Sequence, residues 1–231
     1  MEVADSGEGM CHMAVKAVLF DNDGTLVDTY RLILDSFRYA TRTVLGHELP
    51  EATVMEKVGQ PLVTQIADFD PDPEVRQRLW DAYQAYNHAH HDGSVALFPG
   101  IEKSLRELKD AGYALGVVTS KRHWLCARGL DITGIAPYFE CLVGKEDCAT
   151  YKPAPGPVLA GAHLLGFPPE QCIYIGDSPY DLESGNAAGA QTIAALWGMF
   201  PSNVLDACHP SAACTTASEI PAVVARLAHP A

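Results

Sequence analysis

Five short apolar runs recur along the chain, at 15–20, 113–118, 139–143, 172–175 and 190–196, and helix-like stretches separate them. Runs this short, rich in β-branched residues and bounded by turn residues, read as buried strands. Strands that alternate with helices pair in parallel, because each connection must cross one face of the sheet. The chain is therefore expected to be α/β, with a doubly wound parallel sheet and helices on both faces. One interval breaks the rhythm. Between 28 and 96, Ile33, Leu34, Phe37, Ala40 and Val44 recur at helical spacing, and Pro71-Asp72-Pro73 opens a long helix through Val75, Leu79, Ala82 and Tyr86. No strand pattern intervenes. The expected organisation is a disordered tail at 1–13, a core made of 14–27 and 97–231, and a helical block at 28–96 inserted after the first strand.

The 231 residues are 48% hydrophobic, which is enough for a real core and against wholesale disorder. A net charge of -13 argues against nucleic acid and anionic membranes as partners. An anionic substrate would need local cations or a metal to overcome that field. The seven cysteines form no CxxC pair, and their number is odd, so they read as reduced thiols of a cytoplasmic protein, with Cys126 and Cys172 in the core. The opening MEVADSGEGMCHM lacks the basic and apolar regions of a signal peptide, and no apolar run is long enough for a membrane span. A monomer is the default expectation.

The polar residues at the strand ends point to function. In open parallel sheets, ligands bind at the carboxyl ends of the strands. The first run ends in Asp21-Asn22-Asp23-Gly24-Thr25, the second in Thr119-Ser120-Lys121, and a later one in Gly176-Asp177, with Asp181 following; Lys152 stands in the loop after the third. Turn formation and helix capping could each explain single members. Together they suit one chemistry. Carboxylates this close repel one another, and a hard divalent cation, Mg²⁺, resolves that repulsion. Asp21, Asp23 and Asp177 are the expected metal-site residues, Asp21 and Asp177 as direct ligands, with Asp181 supporting them by holding the lysine or a metal-bound water. Asp21 is the candidate nucleophile and Asp23 the candidate acid and base. Asn22, Gly24, Thr119, Ser120, Lys121 and Lys152 are the expected phosphate contacts.

The four signatures, in this order, resemble the haloacid dehalogenase superfamily in its phosphatase branch, over essentially the whole chain from Val15. Gly59-Gln60-Pro61-Leu62 and Lys152-Pro153-Ala154-Pro155 are similar to the phosphoglycolate phosphatase and pyrophosphatase-like subgroup. The resemblance implies a Rossmann-like core, a helical cap at 28–96, Mg²⁺ dependence and an aspartyl-phosphate intermediate. It also implies a small phosphorylated metabolite as substrate, with Gln60 of the cap among its contacts. Tyr151 and Gly156 depart from the family pattern. An acid at position 23 sets the chain apart from the dehalogenases and phosphonatases of the superfamily. A β-phosphoglucomutase-like mutase and an inorganic pyrophosphatase are the alternatives among enzymes. A non-catalytic binding module is the alternative of another class, and it would have lost one of the four charged residues. The hinges of the cap are expected near Val27-Asp28 and Leu97-Phe98-Pro99. His88, His90 and His91 read as a solvated helix end, and Tyr83 and Tyr86 as helix packing.

Overall fold

A computed structural model of the chain describes residues 15–229; the expected tail at 1–13 lies outside the described residues. The chain runs through β1 (Ala17–Phe20) and β2 (Val27–Asp28) into a helical block. The block comprises α1 (Tyr30–Leu45), α2 (Glu51–Met55), α3 (Leu62–Ile66) and α4 (Pro73–Ser94). β3 (Ala96–Leu97) leads back out of it. Then follow α5 (Ile101–Asp110), β4 (Ala114–Val118), α6 (His123–Ile132), β5 (Cys141–Val143) and α7 (Gly156–Leu165). The chain finishes with β6 (Cys172–Gly176), α8 (Pro179–Ala188), β7 (Gln191–Ala195), α9 (Ser202–Asp206), β8 (Ala212–Cys214) and α10 (Ile220–Ala228).

Six strands form one sheet in the order β5-β4-β1-β6-β7-β8, and every pair is parallel. This is the Rossmann-like core. Side chains alternate between its faces, as the pleat requires. Ile173 and Ile175 join one apolar cluster with Val18, Phe20 and Val117, beneath α5 and α10. Cys172 and Tyr174 join the other with Leu19, Val158 and Ala162, beneath α7. Cys126 and Cys172 are both fully buried.

The connection out of β1 turns to one side of the sheet and the connection out of β6 to the other. The carboxyl ends of β1 and β6 therefore open the crevice where open sheets take their ligands. Register sets the two ends level, because Phe20 pairs with Val117 on one side and Ile175 on the other.

The helical block has an apolar centre of its own. Phe37 of α1 meets Tyr83 of α4 with ring centroids 4.7 Å apart, and Leu79 and Val54 fill the space beside them. Asp72 caps α4 by accepting a bond from the Glu74 N–H at 2.9 Å, and Pro73 supplies its preset φ. α1 stops at Gly46, whose φ of 81° is left-handed.

Four short elements depart from expectation. β2 and β3 pair antiparallel as a two-stranded ribbon at the two crossings between block and sheet. Strands of two residues are too short to show an alternating pattern. β8 and α9 are likewise short and were not anticipated.

Candidate active site

The loop after β1 is knotted by its own backbone. The Asp21 N–H donates to Ile175 O at 2.8 Å, and Asn22 O accepts from the N–H groups of Leu26 and Val27, both at 3.0 Å. The chain can turn this sharply because Gly24 takes a φ of 87°. Glycine is also required by space: a Cβ at 24 would sit 2.2 Å from Asp177 Oδ2. Gly198 crowds Asp177 from another side, where a Cβ would again come within 2.2 Å. Asp177 is fixed between them by the Thr25 hydroxyl at 3.0 Å and the Met199 N–H at 2.8 Å. The Gly24 N–H donates to Val27 O at 2.9 Å. It is therefore spent inside the loop, and the expectation that Gly24 cradles phosphate gives way to a role in seating Asp177.

Beneath this loop lies a buried charge cluster. Lys152 Nζ bonds Asp21 Oδ1 at 2.9 Å, Asp181 Oδ1 and the Tyr174 hydroxyl. The Tyr174 O–H stands 2.9 Å from Val118 O and 3.0 Å from Asp181 Oδ1, with one proton to give. Asp181 occupies the first turn of α8, where the other carboxylate oxygen accepts from the Ser178 N–H and hydroxyl in a capping box. Both oxygens of Asp181 thus carry two bonds each. Asp21 and Asp177 keep free acceptor capacity and line the crevice; Asp181 does not line it.

Three carboxylates, those of Asp21, Asp177 and Asp181, place oxygens within 4.8 Å of one another. The Asp23 carboxylate falls outside this group. Its side chain turns instead to Lys121 Nζ at 2.9 Å, the Thr29 hydroxyl at 2.8 Å and Asn22 Nδ2 at 3.1 Å.

The electrostatics follow from burial and partners. Burial raises the Asp21 carboxyl to about 7, the repulsion of Asp181 and Asp23 adding to it and Lys152 opposing it. Asp177 is driven well above the ordinary carboxylate range by burial, then by Asp181 and Asp21. For Asp23, burial pushes upward but the charge and hydrogen bond of Lys121 outweigh it, and the carboxyl is held below its usual value. Burial opposes the charge on Lys152, yet Asp181 and Asp21 raise its pKa overall.

Sheet and helical block enclose a cleft of about 110 Å³ over these groups. Thr119, Ser120, Lys121 and Lys152 line it from the sheet side and Gln60 from the block. The Ser120 hydroxyl donates to Gly59 O at 2.7 Å, which ties the block to the sheet. Asn22 is buried and does not line the cleft. The histidine run divides: His88 and His90 are exposed, but His91 is only 1% exposed, beneath α6. Its reading as solvated surface is corrected, because α4 packs on α6 there. Tyr83 packs on Phe37, as expected, and also lines the cleft. Sequence reasoning did not single out Arg122, Lys145, Trp80 or Gln65, which line it as well.

A family model for haloacid dehalogenase-like hydrolases matches residues 18–195, more than half of the chain. The chain belongs to the haloacid dehalogenase-like hydrolases. As a member of that family it is a hydrolase. A relative from Caldanaerobacter subterraneus, whose description places it with the PpaX pyrophosphatases, is 38% identical over 84% of this chain and 87% of its own length. Pyrophosphatase PpaX of Bacillus pumilus is 32% identical over 82% of this chain and 87% of its own. Among solved structures, one described as a predicted phosphoglycolate phosphatase from Haemophilus somnus superposes with a TM-score of 0.83. It is 24% identical, over 93% of this chain and 99% of that one, and it supports the fold. Among the described residues of this hydrolase, no helix is long and apolar enough to cross a membrane.

Proposed function

We propose that the protein hydrolyses a phosphoryl bond of a small phosphorylated metabolite through an aspartyl-phosphate on Asp21, in a Mg²⁺-dependent reaction. The observation that carries this reading is the pairing of Asp21 with Lys152 at 2.9 Å beside Asp177, at the switch point of the sheet.

The donor set fits a hard divalent cation. Asp21 and Asp177 are buried oxygen donors with spare lone pairs, and burial together with mutual repulsion raises both pKa values. A bound cation would relieve that repulsion. Mg²⁺, when bound, supplies charge neutralisation for the carboxylates and the phosphoryl oxygens. Asp181, with its oxygens filled, is a positioning residue for Lys152.

The chain's own groups do the rest. An Asp21 carboxylate oxygen attacks phosphorus, the bond from phosphorus to the leaving oxygen breaks, and that oxygen takes a proton from solvent as it departs. The Thr119 hydroxyl is a donor for the phosphoryl oxygens, whose charge spreads in the transition state, and Lys152 holds Asp21 in place for attack. Asp23, held as a carboxylate by Lys121, takes a proton from the water that then attacks the acyl-phosphate. Phosphate leaves, Asp21 is restored, and Asp23 gives its proton to solvent. The block at 28–96 acts as a cap that excludes bulk water, with the β2–β3 ribbon at its hinge.

A second reading, an inorganic pyrophosphatase, is favoured by one feature. A phosphate leaving group needs little help from an acid, and the salt bridge to Lys121 keeps Asp23 ionised. The names of the PpaX relatives agree with it.

The test is phosphate release from a panel of phosphorylated metabolites and pyrophosphate, with Mg²⁺ and with EDTA, for the wild type and Asp21→Asn. Release that needs Mg²⁺ and disappears in Asp21→Asn is expected. Equal release by the variant would overturn the assignment.

A further inference from the structure

The cleft holds more positive charge than the phosphoryl chemistry uses. Of its four cations, Lys152 is consumed by Asp21 and Asp181, and Lys121 by Asp23. Arg122 and Lys145 also line the cleft. Among the described residues, neither forms an ion pair with a carboxylate. In a chain with 29 acidic and 16 basic residues, two unpaired cations on one cleft call for a reason.

They stand together by construction. The Lys145 N–H donates to Lys121 O at 2.9 Å, so the loop after β5 is stitched to the loop after β4. Gly144 allows this approach, since a Cβ there would sit 2.5 Å from the His123 N. The acids nearby face elsewhere. Glu146 accepts from the His123 N–H at 3.2 Å, and Asp147 bonds the Gly144 N–H at 2.7 Å and the His123 ring at 2.6 Å.

Aromatic rings hold both cations without using their N–H donors. The Arg122 guanidinium lies 5.5 Å from the Trp80 ring centre, and Trp80 belongs to the helical block. The Lys145 ammonium lies 5.9 Å from the Tyr151 ring centre. Such contacts position a cation and leave its hydrogen bonds for a ligand.

We infer that Arg122 and Lys145 form a second anion subsite at the mouth of the cleft, and that the substrate carries a second anionic group close to the transferred phosphoryl. A carboxylate and a second phosphate share this chemistry. The inference rests on the hydrolytic reading above and deepens it. Because Trp80 holds Arg122 from the block side, the block helps to place the subsite.

The experiment compares kcat/KM for 2-phosphoglycolate and pyrophosphate with that for 2-hydroxyethyl phosphate, a neutral-tailed counterpart. It uses the wild type, Arg122→Gln, Lys145→Met and the double variant. The wild type is expected to favour an anionic substrate over the neutral one by roughly tenfold or more, the size of one or two charge-assisted hydrogen bonds. That ratio is expected to fall about tenfold in the double variant, through KM, and to be partly kept in Arg122→Lys. Whichever anionic substrate loses more identifies the second group. Calorimetric Kd values for 2-phosphoglycolate and 2-hydroxyethyl phosphate on Asp21→Asn, with and without the double substitution, give the same ratio without turnover. The binding arm judges the subsite even if nothing is hydrolysed, an outcome that would sink the hydrolytic reading by itself. A wild type without preference, or variants that keep the ratio, would overturn the subsite.

Discussion

Replacing Lys152 by methionine removes the cation from a cluster that water does not reach. The lysine side chain is 1% exposed, and its partners Asp21 and Asp181 are 6% and 0% exposed. Breaking a buried ion pair by removing one member costs about 3–5 kcal/mol, because the remaining charge is left uncompensated. Here two carboxylates lose their partner, and Asp181 still keeps Ser178 and Tyr174. About 3–5 kcal/mol is therefore expected at pH 8. The cost shrinks at lower pH. The Asp21 carboxyl already lies at about 7 with Lys152 opposing that rise, and it climbs further without the lysine. A carboxyl with a raised folded pKa contributes stability at low pH, and loses it as pH climbs from the ordinary 3.8 through the folded value. Lys152 itself, raised above its ordinary 10.5, stays charged from pH 5 to 8. The loss at pH 8 should thus exceed that at pH 5 by at least about 1 kcal/mol, roughly one pKa unit. Urea unfolding with chelator present, at both pH values, measures it. Adding Asp181→Asn to Lys152→Met should cost less than the sum of the two single changes. A loss below about 1 kcal/mol at pH 8, or equal losses at both pH values, would refute the reasoning.

Gly24→Ala forces a side chain onto a left-handed backbone, at about 1–2 kcal/mol, and pushes the Asp177 carboxylate aside. Its kcat should fall by about 10²-fold, as for a misplacement near 1 Å, and a steady-state assay beside a thermal melt separates the two effects. Mg²⁺ affinity should strengthen with pH, since Asp21 and Asp177 must lose protons to bind the ion. Titration calorimetry at pH 6 and 8 should give a Kd at least about tenfold tighter at pH 8, and a Kd independent of pH would contradict the assignment. Leu79→Ala opens a cavity in the helical block at about 2–5 kcal/mol. Hydrogen exchange should quicken in α1 and α4 and remain slow in β1 and β6; equal acceleration everywhere would show that block and sheet unfold as one unit.

The parallel sheet was legible in the sequence because each of its central strands is a short apolar run closed by polar residues. The same feature exposed Asp21, Thr119 and Asp177, whose positions follow from register alone. What the sequence concealed depends on side-chain direction and on partners far along the chain. Asp23 lies two residues from Asp21, yet Lys121 and Thr29 turn its carboxylate away from the Asp21–Asp177 cluster. Asp181 was expected to hold either the lysine or a metal-bound water; it bonds Lys152, and Tyr174 and Ser178 fill its remaining acceptor positions. Its capping-box spacing from Ser178 was the one local signal for that. His91 looked solvated beside His88 and His90, but the packing of α4 on α6 buries one face of the helix and not the other. Arg122 and Lys145 are 23 residues apart in number, and the bond from the Lys145 N–H to Lys121 O brings their loops together, which no periodicity announces. The β2–β3 ribbon was invisible as strands, although the two crossings it occupies between block and sheet were read from the change of rhythm at Val27 and Leu97.

The most direct test of the account is capture of the phosphoryl group on the enzyme. Wild type, Asp21→Asn and Asp23→Asn are mixed with Mg²⁺ and the best substrate of the panel, quenched in acid within one turnover, and digested for mass spectrometry. The account requires one added phosphoryl group on the peptide carrying Asp21, absent in Asp21→Asn and more abundant in Asp23→Asn, where the attacking water lacks its base. Phosphate release from wild type with no such adduct in any sample, while Asp21→Asn still turns over, would contradict it.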